Sequence, residues 1–468
     1  MEEKRTKIIC TIGPATSSVS MLTRLINAGM NVARLNFSHG THPDHKKLMT
    51  HIRQAARKTD KIVGILQDLQ GPKIRIGTLS EDVKLSVGQR ISYNSASDEF
   101  KPGDKHLPVT YSNLHRDVKK GHRIFMDDGK LEAEVTTVRG RIISAKVVAG
   151  GMLKSHKGMN LPDSKVSTSA YTKKDHEDLM FGLENEVDWV ALSFVESAAV
   201  VQKVRKIILA KCRSLGTVPP RIIVKIERRA AVENFLEILA AVDGVMFARG
   251  DLGVEIPFEE VPIIQKEFIE ICRQTGKPIV VATHMMDSMV ESPRATRAEV
   301  SDVANAVIDH TDAVMLSAES ATGQYPVVTV KAMNTIIEET EASRLDDIGF
   351  FQLHNIPDLG TSMAHAIHVM AENDQIDFIA TSSTYGDIAQ KINVFRPNAP
   401  IVIACPNASV ARQLTLKAGV YTTVLTDEPG TFVHRMEAKL RRMKLVKTKH
   451  RVAYVTAAPS GEIQLTIR

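Results

Sequence analysis

Lys225, Glu227 and Asp251 fall close together in the stretch from Arg221 to Pro257, RIIVKIERRAAVENFLEILAAVDGVMFARGDLGVEIP. Two carboxylates brought within a few ångströms repel, and each resists ionisation unless a cation lies between them. A hard divalent ion such as Mg²⁺ suits two carboxylates completed by ligand oxygens and water. Lys225 adds a further positive charge to the same patch. A lone Asp or Glu in such a position is ordinarily a solvated loop residue; a Lys, a Glu and an Asp converging on one edge describe a site for an anion.

The elements that must hold these residues follow from the pattern around them. RIIVKIE is a β-branched run, AAVENFLEILAAV repeats its apolar residues at helical spacing, and GVMFARGD stays apolar until it breaks at Arg-Gly-Asp. Apolar runs on both sides of a crossover helix imply parallel neighbouring strands buried on both faces, with the charges at their carboxyl ends. The same alternation recurs in IICTIGP, NVARLNFSHG, IVGILQDLQG, VDWVALSFV, PIVVATHM and DAVMLSAES, each followed by a helical pattern, and Gly29 closes the first helix. Eight such units predict an α/β fold, a closed (β/α)₈ barrel. Barrel chemistry gathers at the C-terminal strand ends. Here those ends read Asn36-Phe37-Ser38-His39, Gln67-Asp68, Lys225-Ile226-Glu227, Arg249-Gly250-Asp251, Thr283-His284 and Ser317-Ala318-Glu319.

After the third strand the alternation stops. Residues 70–166 alternate at period two with Gly and Asp-Gly breaks, which predicts an inserted antiparallel β-barrel domain able to close over the crown as a lid. Its linkers bring Lys73, Arg75 and Lys157 near the mouth. The predicted organisation is a barrel from 1–69 and 167–345, the lid from 70–166, and a C-terminal α/β domain from 346–468, beyond the loose stretch DDIGFFQLHNIPDLG.

Length and composition bound the rest. A chain of 468 residues, 43% hydrophobic and 24% charged, has the balance of a globular protein of several domains. The net charge of +6 comes without a basic run that reads as nucleic-acid binding, since KLRRMKLVKTKHR fits the polar face and exit of one helix. Cys10, Cys212, Cys272 and Cys405 form no CxxC pair, which argues for a reducing compartment over a disulfide framework or zinc site. No signal-peptide core or membrane-length apolar run is present, and the expectation is a cytoplasmic protein.

The strings CTIGPAT, NVARLNFSHGTH, QDLQGPKIR, KGMNLP, ALSFV, VKIE, ARGDLGVEIP, VATHM, PRATRAEVSDVANAVID and MLSAESATGQYP occur in that order. On these strings the chain resembles the pyruvate kinases along nearly its whole length. The resemblance implies a barrel, a lid, a C-terminal domain and a homotetramer, with phosphoryl transfer from phosphoenolpyruvate to ADP giving pyruvate and ATP. It implies Mg²⁺ or Mn²⁺ on Glu227 and Asp251, with Lys225 stabilising the phosphoryl group in flight and the enolate left behind. Arg34, Gly250, Asp251 and Thr283 would contact substrate, and Asn36, His39, Arg75 and Lys157 the nucleotide. Ser317 and Glu319 resemble a polar network that delivers a proton to the enolate.

The departures carry information too. The family's K⁺ site falls on Asn36, Ser38, Asp68 and Leu69, yet Lys73 stands where K⁺-requiring members carry Glu. Leu69-Gln70, Lys73 and Ile76 resemble the branch that works without K⁺, the lysine ammonium supplying the charge of the missing ion. His284 in place of glutamine, SAESATG in place of a Gly-Glu-Thr version, and Val300 in place of Gly remove no charged group from the site. Thr381 and Ser383 keep part of the family's effector-phosphate loop. Thr384, Tyr385 and the short APSGEIQ end depart from fructose-bisphosphate-regulated forms, which leaves AMP or a sugar monophosphate as ligand, or a plain helix cap. Two competing readings use the same residues. A Mg²⁺-dependent lyase or aldolase acting on pyruvate enolate leaves the lid and its cations unexplained. A catalytically altered, metabolite-sensing paralogue has intact Lys225, Glu227 and Asp251 against it.

Overall fold

Runs of apolar and β-branched residues form eight parallel strands: β1 (Lys7–Thr11), β2 (Val32–Asn36), β3 (Gly64–Asp68), β4 (Trp189–Leu192), β5 (Arg221–Ile226), β6 (Gly244–Ala248), β7 (Ile279–Ala282) and β8 (Ala313–Leu316). Each pairs with its sequence neighbours and β8 pairs with β1, which closes the ring. The structure, a computed structural model, describes residues 4–100, 104–164, 166–346, 358–384, 388–425, 430–457 and 462–468. Every residue of β1, β3, β4, β6, β7 and β8 is buried, as strands covered on both faces require. In β5 the exceptions are Arg221 and Lys225. With Ile223 between them they share one face of the strand, and Ile223 packs with Ile9, Leu66, Trp189, Met246 and Val280. Arg221 and Lys225 thus occupy the two ends of one column through the barrel.

Outer helices begin on designed stops. Thr41 with Asp44, Thr172 with Asp175 and Thr296 with Glu299 form reciprocal capping boxes on His42–Thr59, Lys173–Glu184 and Arg297–Ile308. Gly29, at φ 123°, ends the helix Val19–Ala28, as its place in the sequence predicts. One local expectation fails: AAVENFLEILAAV is two helices, Arg229–Glu233 and Phe235–Ala241, divided at Asn234. Where the apolar run breaks, Arg-Gly-Asp starts a short helix, Arg249–Glu255, despite its two glycines. Gly250 N–H donates to Thr283 Oγ1 at 2.7 Å, so a tertiary contact supports a turn that local propensity does not.

The inserted segment curls as a six-stranded sheet around its own core, which includes Tyr93, Ile124, Met126, Val135 and Ile143. Its ladders are antiparallel except for Arg90–Asn94 beside Leu107–Pro108, which run parallel. It meets the barrel at the Arg249–Glu255 helix, where Asn160 Nδ2 approaches Glu255 Oε1 at 3.5 Å.

The C-terminal unit is a five-stranded sheet in which Phe378–Ser382, Ile401–Cys405, Val420–Val424 and Val452–Ala457 run parallel and Ile463–Ile467 forms an antiparallel edge. It docks on the N-terminal end of the barrel. Arg412 Nε reaches Asp188 Oδ1 at 2.8 Å, Trp189 Nε1 donates to Gln413 O at 3.1 Å, and Leu416 joins the inner barrel cluster. Most of the linker read at DDIGFFQLHNIPDLG (347–357), Tyr385 to Asp387 of the effector-like loop, and 458–461 near the C-terminus lie outside the described residues. Among the described residues no helix is long and apolar enough to cross a membrane.

Candidate active site

The period of β5 sets the geometry. Lys225 and Glu227 lie two residues apart, hence on one face, and project together at the barrel mouth. Lys225 Nζ stands 2.7 Å from Glu227 Oε1, 3.5 Å from Asp68 Oδ1 and 3.0 Å from Ser193 Oγ. Arg34 comes from β2 and is buried; its Nε and Nη2 contact Asp68 Oδ2 at 2.8 and 2.7 Å, while Nη1 donates to Thr11 Oγ1 at 2.8 Å. Asp68, from β3, therefore ties the two cations to one carboxylate.

Burial would push the Asp68 carboxyl up, but Lys225 and Arg34 overcome it and hold the group below its ordinary range. Burial likewise works against the Lys225 ammonium, and Asp68 and Glu227 reverse the balance, so it stays firmly protonated. Glu227 is different. Burial raises its pKa, Asp251 adds to the rise, and Lys225 only partly offsets it. Its Oε2 accepts from Phe194 N–H at 2.8 Å, while Oε1, although paired with Lys225 through charge, has no aligned hydrogen-bond donor among the described residues. Asp251, half-buried on the Arg249–Glu255 helix, faces the same charge cluster.

This donor set fits a divalent ion. Among the described residues no three His, Cys, Asp or Glu side chains are placed to hold a metal ion by themselves. Mg²⁺ is bound through one or two carboxylates plus ligand oxygens and water rather than by an all-protein cage, and a buried carboxylate oxygen lacking an aligned donor suits it.

Around this centre the other candidates divide. His39, Lys73, Arg75 and Arg34 share one neighbourhood: burial first, then Arg75, Lys73 and Arg34, holds the His39 imidazole below its usual range. Arg75 Nη1 donates to His156 O at 2.9 Å, across the lid linkers. Lys157 instead pairs with Asp127 of the lid at 2.7 Å. Asn36 Oδ1 accepts from Ser38 N–H at 3.0 Å, and the Leu69 carbonyl accepts from Ser193 Oγ at 2.7 Å. Glu319 is 1% exposed and spends its oxygens on Ser317 N–H at 2.7 Å and Met286 N–H at 3.2 Å, so it fixes the β7 and β8 loops to each other. Ser317 is half-buried at the end of β8. Thr381 and Ser383 belong to the C-terminal sheet and stand outside the crown.

Several contributors were not singled out from sequence. Ser193 links Lys225 to the Leu69 carbonyl, Thr11 steadies Arg34, and the Phe194 N–H holds Glu227. All three sit at strand ends facing the crown, the one signal that marks them. Thr283 and His284 have φ of 72° and 53°. A β-branched residue at positive φ is strained, and such strain concentrates where a site requires one geometry. Thr283 Oγ1 donates to Ala282 O at 2.6 Å and accepts from Gly250 N–H, which fixes the approach to the β6 end.

A family model described as pyruvate kinase, barrel domain, matches residues 3–330, and one described as pyruvate kinase, alpha/beta domain, matches 361–466. The chain is 44% identical over 430 residues to a pyruvate kinase of Geobacillus stearothermophilus, covering 90% of this chain and 71% of that protein. It is 41% identical over 437 residues to a pyruvate kinase of Staphylococcus aureus, covering 92% and 73%. Among solved structures, a pyruvate kinase from Cryptosporidium parvum superposes with a TM-score of 0.91 at 34% identity, covering 99% of this chain and 96% of that one. A barrel whose mouth gathers two cations and three carboxylates, carried on a sequence matched over both domains, identifies the chain as a member of the pyruvate kinase family, a phosphotransferase with pyruvate kinase activity.

Proposed function

We propose that this chain transfers the phosphoryl group of phosphoenolpyruvate to ADP through the Lys225, Glu227 and Asp251 cluster, and that it does so without K⁺. The observation that carries the reading is the fixed cation pair at the mouth: half-buried Lys225 and buried Arg34, both anchored on Asp68. A phosphoryl group in flight carries high charge, and catalysis of its transfer is mainly positioning and electrostatic stabilisation. Glu227 and Asp251 would hold Mg²⁺ or Mn²⁺, whose charge offsets that of the phosphate and the substrate carboxylate. Lys225 stabilises the oxygens of the moving group and then the enolate. Arg34 meets the substrate phosphate, because a guanidinium fork matches phosphate oxygens two at a time. Gly250 lets backbone approach the substrate, and Thr283 orients it. His39, Asn36, Arg75 and Lys157 contact the nucleotide, Lys157 exchanging Asp127 for phosphate. Glu319 acts by holding Ser317, and Ser317 lies on the path of the proton to the enolate.

Independence of K⁺ rests on charge. Asp68, assigned by resemblance to a K⁺ site with Asn36, Ser38 and Leu69, is already neutralised by Arg34 and Lys225, and Lys73 stands close enough to depress His39. We further propose the boundaries 69/70, 166/167 and 345/346, a homotetramer in the cytoplasm, and Thr381 and Ser383 as contacts for an effector phosphate. The buried Thr381 hydroxyl lacks a hydrogen-bond partner among the described residues, while Ser383 lies against the Cys405 thiol. The test is pyruvate formation from phosphoenolpyruvate and ADP with Mg²⁺ in tetramethylammonium buffer. A full rate that K⁺ leaves unchanged is expected; a negligible rate that K⁺ restores overturns the K⁺ reading, and no rate in either buffer overturns the whole.

A further inference from the structure

At the opposite end of the barrel from the mouth, a cavity of about 340 Å³ opens between the barrel and the C-terminal unit. The barrel contributes Arg205, Arg221, Asp243 and Lys277, and the C-terminal unit contributes Gln390 and Lys417. Arg205 and Asp243 neutralise each other at 2.9 Å. Among the described residues the other three cations form no ion pair, and they share only the nearby charge of Asp243 and Asp312. Lys417 is 4% exposed, and its Nζ donates to the Gly276 carbonyl at 2.9 Å; nearby Asp312 is taken by Arg396 at 2.8 Å. Lys277 Nζ donates to the carbonyls of Leu239 and Ala240. The Arg221 guanidinium lies 5.8 Å from the Trp189 ring centroid, with no hydrogen-bond partner among the described residues.

Three like charges around one open cleft repel, and each loses hydration as it is partly or fully buried. Burial and the neighbouring Arg221 pull the Lys417 ammonium down to about 8. An anion in the cavity would reverse both penalties. One guanidinium fork and two point-like ammonium groups suit the several oxygens of a phosphate. The volume sits near the lower limit, roughly 300 Å³, of pockets that take small molecules. We propose that this cavity binds a phosphate dianion, carried by a small sugar ester or free, at a site separate from both the barrel mouth and the Thr381–Ser383 loop.

The test is calorimetry with ribose 5-phosphate and, separately, inorganic phosphate, on the full chain with its barrel mouths filled by Mg²⁺ and oxalate. One equivalent per chain is expected at the cavity, separate from any taken by the Thr381–Ser383 loop. Tighter binding of ribose 5-phosphate identifies an ester site; equal binding identifies a phosphate site. Arg221→Gln and Lys417→Gln should each weaken binding about tenfold or more, the scale of one charged hydrogen bond. The double variant Thr381→Ala, Ser383→Ala should keep the equivalent that Arg221→Gln weakens, whatever the loop itself loses. Arg221→Gln decides the matter if Lys417→Gln fails to fold, since its turnover without added ligand should stay at the parent value. No saturable binding at millimolar concentration, unchanged binding in Arg221→Gln, or loss of all binding in the Thr381→Ala, Ser383→Ala variant would overturn the proposal.

Discussion

Lys225 Nζ and Glu227 Oε1 lie 2.7 Å apart at the end of one strand, so the ammonium and one carboxylate of the proposed metal site are set by a single backbone segment. A side chain shared between a buried acid and an incoming phosphate needs little reorganisation as charge moves, which is the condition for strong electrostatic stabilisation of a transition state.

Lys225→Met should therefore leave phosphoenolpyruvate binding nearly intact while turnover falls by about 10²–10³ or more. Steady-state kinetics beside direct binding separate the two effects. Near-parent turnover would remove Lys225 from the role given to it.

Arg34→Lys keeps the charge but not the fork. It cannot reach Asp68 twice and Thr11 once, as Arg34 does. KM for phosphoenolpyruvate should rise about tenfold or more, with the melting temperature shifting far less than in Arg34→Ala. A silent Arg34→Lys would show that bidentate contact is not used.

Lys73→Glu reverses the charge beside His39. If the lysine ammonium stands in for a monovalent ion, this variant should be slow in tetramethylammonium buffer and accelerate as K⁺ is added, with the parent flat in the same titration. A variant as indifferent to K⁺ as the parent would contradict the charge argument.

Lys417 offers a stability test. Its folded pKa of about 8 lies below the ordinary 10.5, so between these values the unfolded chain binds more protons and stability rises with pH. Lys417→Met removes that term. The melting temperature of Lys417→Met relative to the parent should be highest near neutral pH, and the difference should shrink towards pH 10.5. A constant difference would mean that burial does not depress Lys417.

The barrel strands were legible because strands buried on both faces must be continuously apolar, and the crown followed from where those runs break into charge. What the sequence hides is pairwise. Nothing in QDLQG says that Asp68 will anchor both Arg34 and Lys225, because the three meet only when β2, β3 and β5 line one barrel. The positive φ of Thr283 runs against the preference of a β-branched residue, and the Arg249–Glu255 helix runs against its glycines; both are imposed by the contact between Gly250 and Thr283. Lys417 reads as an ordinary polar residue after LTL, and only docking of the C-terminal unit buries it.

The most direct measurement is a crystal structure with Mg²⁺ and oxalate, which mimics the enolate. The account predicts one ion held by Glu227 and Asp251, completed by oxalate oxygens and water, with Lys225 Nζ against the bound oxalate. Glu227 and Asp251 turned away from each other, with no ion between them, would contradict it.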